Sequence, residues 1–290
     1  MNNNYLFDMD DHMSEHPSAI SKKAKGHVWT EKKAQFIARY LRAFTYVTKH
    51  GTYIDAFAGP QEEKVYDNWA AKLVLENEPK WLRRFYLFEQ SEQQIELIEE
   101  LAAEHHEEGA LKKNRKVEVF QGDMNEELPK FLGENPISEK QATFCLFDQR
   151  TKECDWETVA QVARHKISGN KIELFYFLAQ GWVDRILTDK LGEGNLEKVA
   201  RWLGADDWEC FKKLDSDGRA KYFVSKFLNE LGYAYSKAYP IFEHGAEGRI
   251  MFWMIHASDH ERAPALMDAA YSGIGLALPE ETGVIQLDLL

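Results

Sequence analysis

Thr52-Tyr53-Ile54-Asp55-Ala56-Phe57-Ala58-Gly59-Pro60 is the stretch whose reading decides the fold. Its first six residues are β-prone and mostly apolar and read as a short buried strand, and Ala58-Gly59-Pro60 reads as a turn of small residues. A glycine in such a turn lets the backbone approach a ligand closely. The turn lacks the GxGxxG spacing of a dinucleotide binder, and no GxxxxGK[ST] phosphate loop occurs in the chain, so NAD and ATP fall behind as ligands.

Upstream, Thr30 and Glu31 open a helical stretch with Phe36, Ile37, Tyr40, Leu41, Phe44 and Val47 on one face, a stripe suited to packing on a sheet. Gly51 ends it. Downstream, strands are expected at Phe85–Phe88, Val117–Phe120, Ala142–Phe147 and Ile172–Leu178, separated by helices from Trp69 to Glu76, from Ser91 onward, from Glu126 to Phe131 and from Asp155 onward. Ser91 followed by Gln94 has the form of a capping box, and Asp155 that of an N-cap. Strands alternating with helices over short intervals are the βαβ signature of a parallel, doubly wound sheet. Residues 182 to 232 read as helical throughout, with Gly232 where a left-handed C-cap belongs. Two further strands follow, Ala234–Phe242 and Arg249–His256, and a helix from Glu261 to Tyr271.

In an open parallel sheet, ligands bind outside the carboxyl ends of the strands. Acidic residues stand at four of those ends: Asp55, Glu89, Asp123 and Asp148. Taken singly, each reads equally well as a helix cap or turn residue. As an ordered set they have a use, because a carboxylate can accept both hydroxyls of a ribose and another can accept an adenine amine.

With 290 residues, 44% hydrophobic and 13% aromatic, the chain has the composition of a folded globular protein. No window approaches about 18 uninterrupted apolar residues, so no membrane span is expected. Met1-Asn2-Asn3-Asn4 has neither a basic region nor an apolar core, so secretion is not expected, and the unpaired Cys145, Cys154 and Cys210 suit a reducing cytoplasm. A net charge of −12 repels phosphate backbones and does not favour a nucleic-acid acceptor. The densest basic run, Lys112-Lys113-Asn114-Arg115-Lys116, reads as a solvated loop.

A strand ending in Asp-x-Phe-Ala-Gly resembles the first motif of class I S-adenosylmethionine-dependent methyltransferases. Trp29-Thr30 with Lys33, the Tyr53–Pro60 stretch, the aromatic strand ending in Glu89, Phe147-Asp148, and Phe252 to Asp259 together resemble the three-Cys-motif partner (TcmP) family. The resemblance spans about residues 27 to 270 and implies an α/β fold: a Rossmann-like class I methyltransferase sheet of seven strands, the last antiparallel, with a helical insertion between strands 5 and 6. One domain is then expected over 27–290, with 182–232 as a helical cap over the strand ends and 1–26 as a flexible arm. The family implies S-adenosylmethionine as cofactor, held by Asp55, Phe57, Ala58, Gly59 and Pro60, by Glu89 and Gln90, and by Asp123 and Met124 beside the base. Asp148 becomes the catalytic group nearest the acceptor. A protein partner is implied too, in a bacterial defence or mobile-element setting.

Two positions depart from the family's pattern. Gln61 stands where members carry glycine, and Phe147-Asp148-Gln149-Arg150 lacks the proline and following aromatic of base-amine methyltransferases. Two functions stay open on these grounds: methyl transfer to an unidentified acceptor, or a catalytically degenerate assembly subunit. Other groups read as structural: His256 and His260, four apart but at a strand end and a helix entry rather than on one helix face for a metal, Cys145 a buried thiol and Cys154 a loop thiol, Trp182, Trp202 and Trp208 anchors of the cap, and Lys32, Lys33 and Arg39 a solvated helix face.

Overall fold

In the computed structural model, which describes residues 28–60, 68–106, 115–188, 193–205, 208–244 and 247–279, strands and helices alternate as the sequence requires. The order is α1 (Val28–Thr48), β1 (Gly51–Asp55), α2 (Ala70–Glu76), β2 (Leu82–Glu89), α3 (Glu92–His105), β3 (Lys116–Gln121), α4 (Met124–Glu134), β4 (Thr143–Phe147), α5 (Trp156–Arg164) and β5 (Glu173–Ala179). Helices α6 (Gln180–Thr188), α7 (Glu193–Leu203), α8 (Trp208–Lys213) and α9 (Ser216–Ser225) follow, the last running into a π-helical turn, Lys226–Glu230. The hairpin β6 (Tyr235–His244) and β7 (Glu247–Ser258) leads to α10 (Ala263–Ser272).

Among the described residues seven strands form one sheet in the order β3-β2-β1-β4-β5-β7-β6. Strands β1 to β5 pair in parallel, and β7 runs antiparallel to both β5 and β6. This is a Rossmann-like α/β sheet of seven strands with the last antiparallel, as the sequence led us to expect. Its chain grows outward from β1 in two directions, toward β2 and β3 and then toward β4 and β5, which opens a crevice at the carboxyl end of β1.

Continuous apolar strands are explained by burial on both faces. On β5, Leu174, Tyr176 and Leu178 join the core half built with α4, α5 and α9, while Phe175 and Phe177 join the half built with α1, α2, α3 and α10. Each fully buried Phe or Leu there contributes roughly 1.5–3 kcal/mol of hydrophobic free energy. The α1 stripe lies where the spacing placed it, with Phe36, Ile37, Tyr40, Leu41 and Phe44 buried. The inserted helices share the first core half: Trp202, Phe211 and Phe223 pack with Trp156 and Tyr176. Gly232 has φ +68°, the left-handed value expected of a C-cap, and Tyr233 N–H bonds the Phe227 carbonyl across it.

Several local expectations are corrected. Ser91 is the N-cap of α3 but makes no side-chain capping bond, and Gln94 reaches the Pro60 carbonyl instead. Asp155 likewise precedes α5 without bonding its N–H groups; its carboxylate lies 3.4 Å from Arg201 Nε. Cys154 lies in the loop after β4 as expected but is fully buried there, and burial pushes both its thiol and that of Cys145 up, away from reactive thiolate. Arg115 is no solvated loop residue: it is buried, donates to the Leu75 carbonyl and lies over the Phe85 ring. The expected arm over 1–26, Gln61, and Lys112 to Asn114 lie outside the described residues.

Candidate functional site

The strand order brings the ends of β1, β2 and β4 together, and the acids arrive with them. Asp55 is the last residue of β1, Glu89 the last of β2, and Asp148 directly follows β4. Asp55, Phe57, Ala58, Gly59 and Asp148 line one narrow cavity of about 10 Å³, together with Thr30 and Lys33 from α1 and Trp69 before α2.

Asp55 clamps the turn it starts. One carboxylate oxygen accepts from Phe57 N–H at 3.1 Å and the other from the Tyr53 hydroxyl at 2.7 Å. Burial drives its pKa up to about 7 against the Tyr53 bond, and the neighbouring Asp148 charge pushes the same way. Trp69 Nε1 holds the Ala58 carbonyl at 2.6 Å.

Glu89 closes on the turn from the next strand. Its Oε2 accepts from Gly59 N–H at 3.0 Å, and its Oε1 accepts from the N–H groups of Gln90 and Ser91, each at 2.9 Å. Glycine at position 59 permits this close approach: a Cβ there would sit 2.5 Å from Glu89 Oε2 and 1.9 Å from Gln94 Oε1, displacing both side-chain ends. The Pro60 carbonyl accepts from Gln94 Nε2 at 3.1 Å and from Arg150 Nη2 at 3.2 Å, so α3 and the β4 exit both tie down the loop.

Asp148 is buried and paired. Its Oδ1 lies 2.7 Å from Lys33 Nζ, and the ammonium sits 4.8 Å from the ring centroids of both Phe177 and Phe252. Lys33 is 1% exposed, which overturns its reading as a solvated helix face. Desolvation lowers its pKa, and the Asp148 charge and hydrogen bond oppose that shift. The sequence did carry a signal for this residue. Lys33 stands three, four and seven positions before Phe36, Ile37 and Tyr40, on the buried stripe itself.

The departure from the fourth motif has its own structural use. Gln149 is wholly buried, donates to the Phe177 carbonyl at 3.0 Å and accepts from Cys154 N–H at 3.2 Å, joining the β4 exit to β5. Arg150 spends one guanidinium nitrogen on Pro60.

Asp123 and Met124 lie at the third strand's exit. Asp123 accepts from Asn125 N–H at 2.8 Å and so caps α4, next to Gly122 at φ +147°. Gly122 N–H donates to the Glu89 carbonyl at 3.0 Å, which couples the β2 and β3 exits. Met124 is buried in the core half beneath this end of the sheet. Gln90 is exposed. Outside the site, His256 Nε2 contacts Glu173 at 2.9 Å, and no group of three or more potential metal ligands occurs among the described residues. No helix among them is long and apolar enough to cross a membrane.

No family model matches this chain, and no curated protein does. Among solved structures it is similar to M. jannaschii TYW2 in complex with AdoMet, at 10% identity over 83% of this chain and 77% of that one, with TM-score 0.39. A Legionella pneumophila protein matches at 10% identity over 85% and 91%, with TM-score 0.45. The methyltransferase domain of bacterial CtHen1 matches at 12% identity over 78% and 99%, with TM-score 0.42. The fold assignment rests on the strand order and directions of this chain itself.

Proposed function

We propose that this chain is an S-adenosylmethionine-binding, methyltransferase-like protein of the three-Cys-motif partner type, with its cofactor site at the carboxyl ends of β1, β2 and β3. The observation that carries this reading is the contact between Gly59 N–H and Glu89. It puts the carboxylate suited to a ribose directly on the glycine turn suited to the methionine end. The donor set fits the cofactor: backbone N–H groups and small side chains at Ala58 and Gly59, a carboxylate at Glu89, a further carboxylate at Asp123. The cavity of about 10 Å³ beside the turn holds one water-sized group, so cofactor entry requires the side chains around it to rearrange.

Bound there, the cofactor supplies an already electrophilic methyl group, so the protein's part is alignment and exclusion of water. Asp148, fixed by Lys33, faces the same cavity and is the group assigned to accept a hydrogen bond from the acceptor. The acceptor itself is unassigned. A second reading, in which the chain binds the cofactor without transferring its methyl and acts through a protein partner, draws support from the β4 exit. There Gln149 and Arg150 are committed to the Phe177 and Pro60 carbonyls, and no aromatic follows Asp148 to stack a base.

Titration calorimetry with S-adenosylmethionine and S-adenosylhomocysteine tests the common part. Binding of both is expected, weakened by about tenfold or more in Glu89→Ala. Absence of heat with either ligand overturns the proposal. Labelled methyl reaching a nucleic-acid, protein or small-molecule pool then selects transfer over the degenerate reading.

A further inference from the structure

A cavity of about 210 Å³ opens at the opposite end of the sheet, between α1 and α10 and below the amino ends of β4 and β5. Phe44, Val47 and Leu266 give it an apolar wall. Two carboxylates face it, and protein donors already serve both. Glu173 accepts from the Tyr40 hydroxyl, from His256 Nε2 at 2.9 Å and from the Ser258 hydroxyl at 2.9 Å. Glu139 accepts from Ile167 N–H and Ser168 N–H, both at 3.1 Å.

Lys166 differs. It is 6% exposed, lines the cavity, and donates to the Gln141 carbonyl, yet among the described residues no carboxylate lies within 4.0 Å of its Nζ. An ammonium has three N–H donors, and a buried one is stable when paired. The other buried lysines obey that rule: Lys33 meets Asp148 at 2.7 Å and Lys226 meets Glu230 at 2.9 Å. Burial lowers the Lys166 pKa to about 8, with Glu139 compensating only in part, so its surroundings under-stabilise the cation. His260, also on the lining, accepts from Arg262 N–H at Nδ1 (3.1 Å), which leaves its Nε2 as a donor. The unmet demand of this cavity is for an anion.

We propose that the cavity binds a small carboxylate with a short apolar body, its head on the Lys166 ammonium and its body against Phe44, Val47 and Leu266. One buried cation suits a monoanion, and the apolar wall suits an alkyl chain better than the hydrated oxygens of a phosphate.

Ligand-observed NMR on the full chain tests this, with sodium butyrate as probe and inorganic phosphate as comparison. Saturable butyrate binding is expected, lowered about tenfold or more by Lys166→Met and by Leu266→Trp, which fills the space without touching the charge. Circular dichroism checks that each variant is folded; should Lys166→Met fail to fold, Leu266→Trp decides. No saturable binding at tens of millimolar butyrate overturns the proposal. So does undiminished binding in the folded variant, or phosphate binding tighter than butyrate. The candidate cofactor site lies at the other end of the sheet, so failure here leaves that reading untouched.

Discussion

The two ends of the sheet handle buried charge in different ways. At the carboxyl end, Asp148 meets a full cation, Lys33, at 2.7 Å between two phenylalanine rings. At the amino end, Glu173 is held by a tyrosine, a serine and a histidine, and Lys166 has a carbonyl for a partner. The first arrangement fills its space, leaving about 10 Å³, and the second leaves about 210 Å³. The same helix serves both, since α1 runs 21 residues at about 1.5 Å each and carries Lys33 in its amino-terminal half and Thr48 at its carboxyl end. A closed ion pair makes a rigid wall for the candidate site. A carboxylate met by several hydrogen-bond donors and a loosely partnered amine leave room for something else.

The largest effect should come from Glu173→Leu, which orphans three buried donors at roughly 1–3 kcal/mol each. Urea unfolding should show a loss that threatens the fold, and a change under about 1 kcal/mol would mean the three donors find other acceptors. Lys33→Met should cost roughly 3–5 kcal/mol by leaving the Asp148 charge buried and unpaired, and Lys33→Met with Asp148→Leu should recover much of it. If the double variant is no better than the single one, the pair is not the wall described here.

Asp55 adds a pH dependence at the carboxyl end. Its folded pKa of about 7 lies above the ordinary 3.8, so the folded state holds this proton more tightly than the unfolded chain does. Its stabilising contribution is complete below the unfolded value, falls as pH rises between the two, and is lost once pH passes the folded value. Asp55→Asn removes the titration. Its unfolding free energy should gain on wild type by up to about 1.4 kcal/mol per pH unit across that window, then level off. A difference constant from pH 4 to 8 would contradict the burial assigned to Asp55. The smallest effect belongs to Ser91→Ala. An N-cap serine commonly contributes about 1 kcal/mol, but this one makes no capping bond, so the thermal midpoint should move by an amount equivalent to about 0.5 kcal/mol or less.

Much of the fold was legible because its information is local. Thr52 to Phe57 and Phe85 to Phe88 read as strands from their residue types, the first two residues longer than the β1 that forms, α1 read as a helix from its stripe, and Gly232 as a cap from its place after a helical run. The acids Asp55, Glu89 and Asp148 were legible as strand-end residues. That Asp55 and Asp148 share one cavity while Glu89 closes on the turn beside it depends on strand order, which no single segment encodes. Ser91 and Asp155 show the limit of motif reading: each sits at a helix start, and each lacks the bond its motif promises, because Gln94 and the Asp155 carboxylate have partners from elsewhere in the chain.

By itself, then, the sequence determined the alternation of elements, the small-residue turn after β1 and the acids at the strand ends, since periodicity and turn chemistry act over a few residues. Only the tertiary structure decided which charges are paired. Lys33 lies 115 positions from Asp148, and Glu173 lies 83 from His256 and 85 from Ser258. Such pairs form where α1, β4, β5 and β7 pack side by side, and it is burial in that packing that turns a surface-looking lysine into the counter-ion of the site.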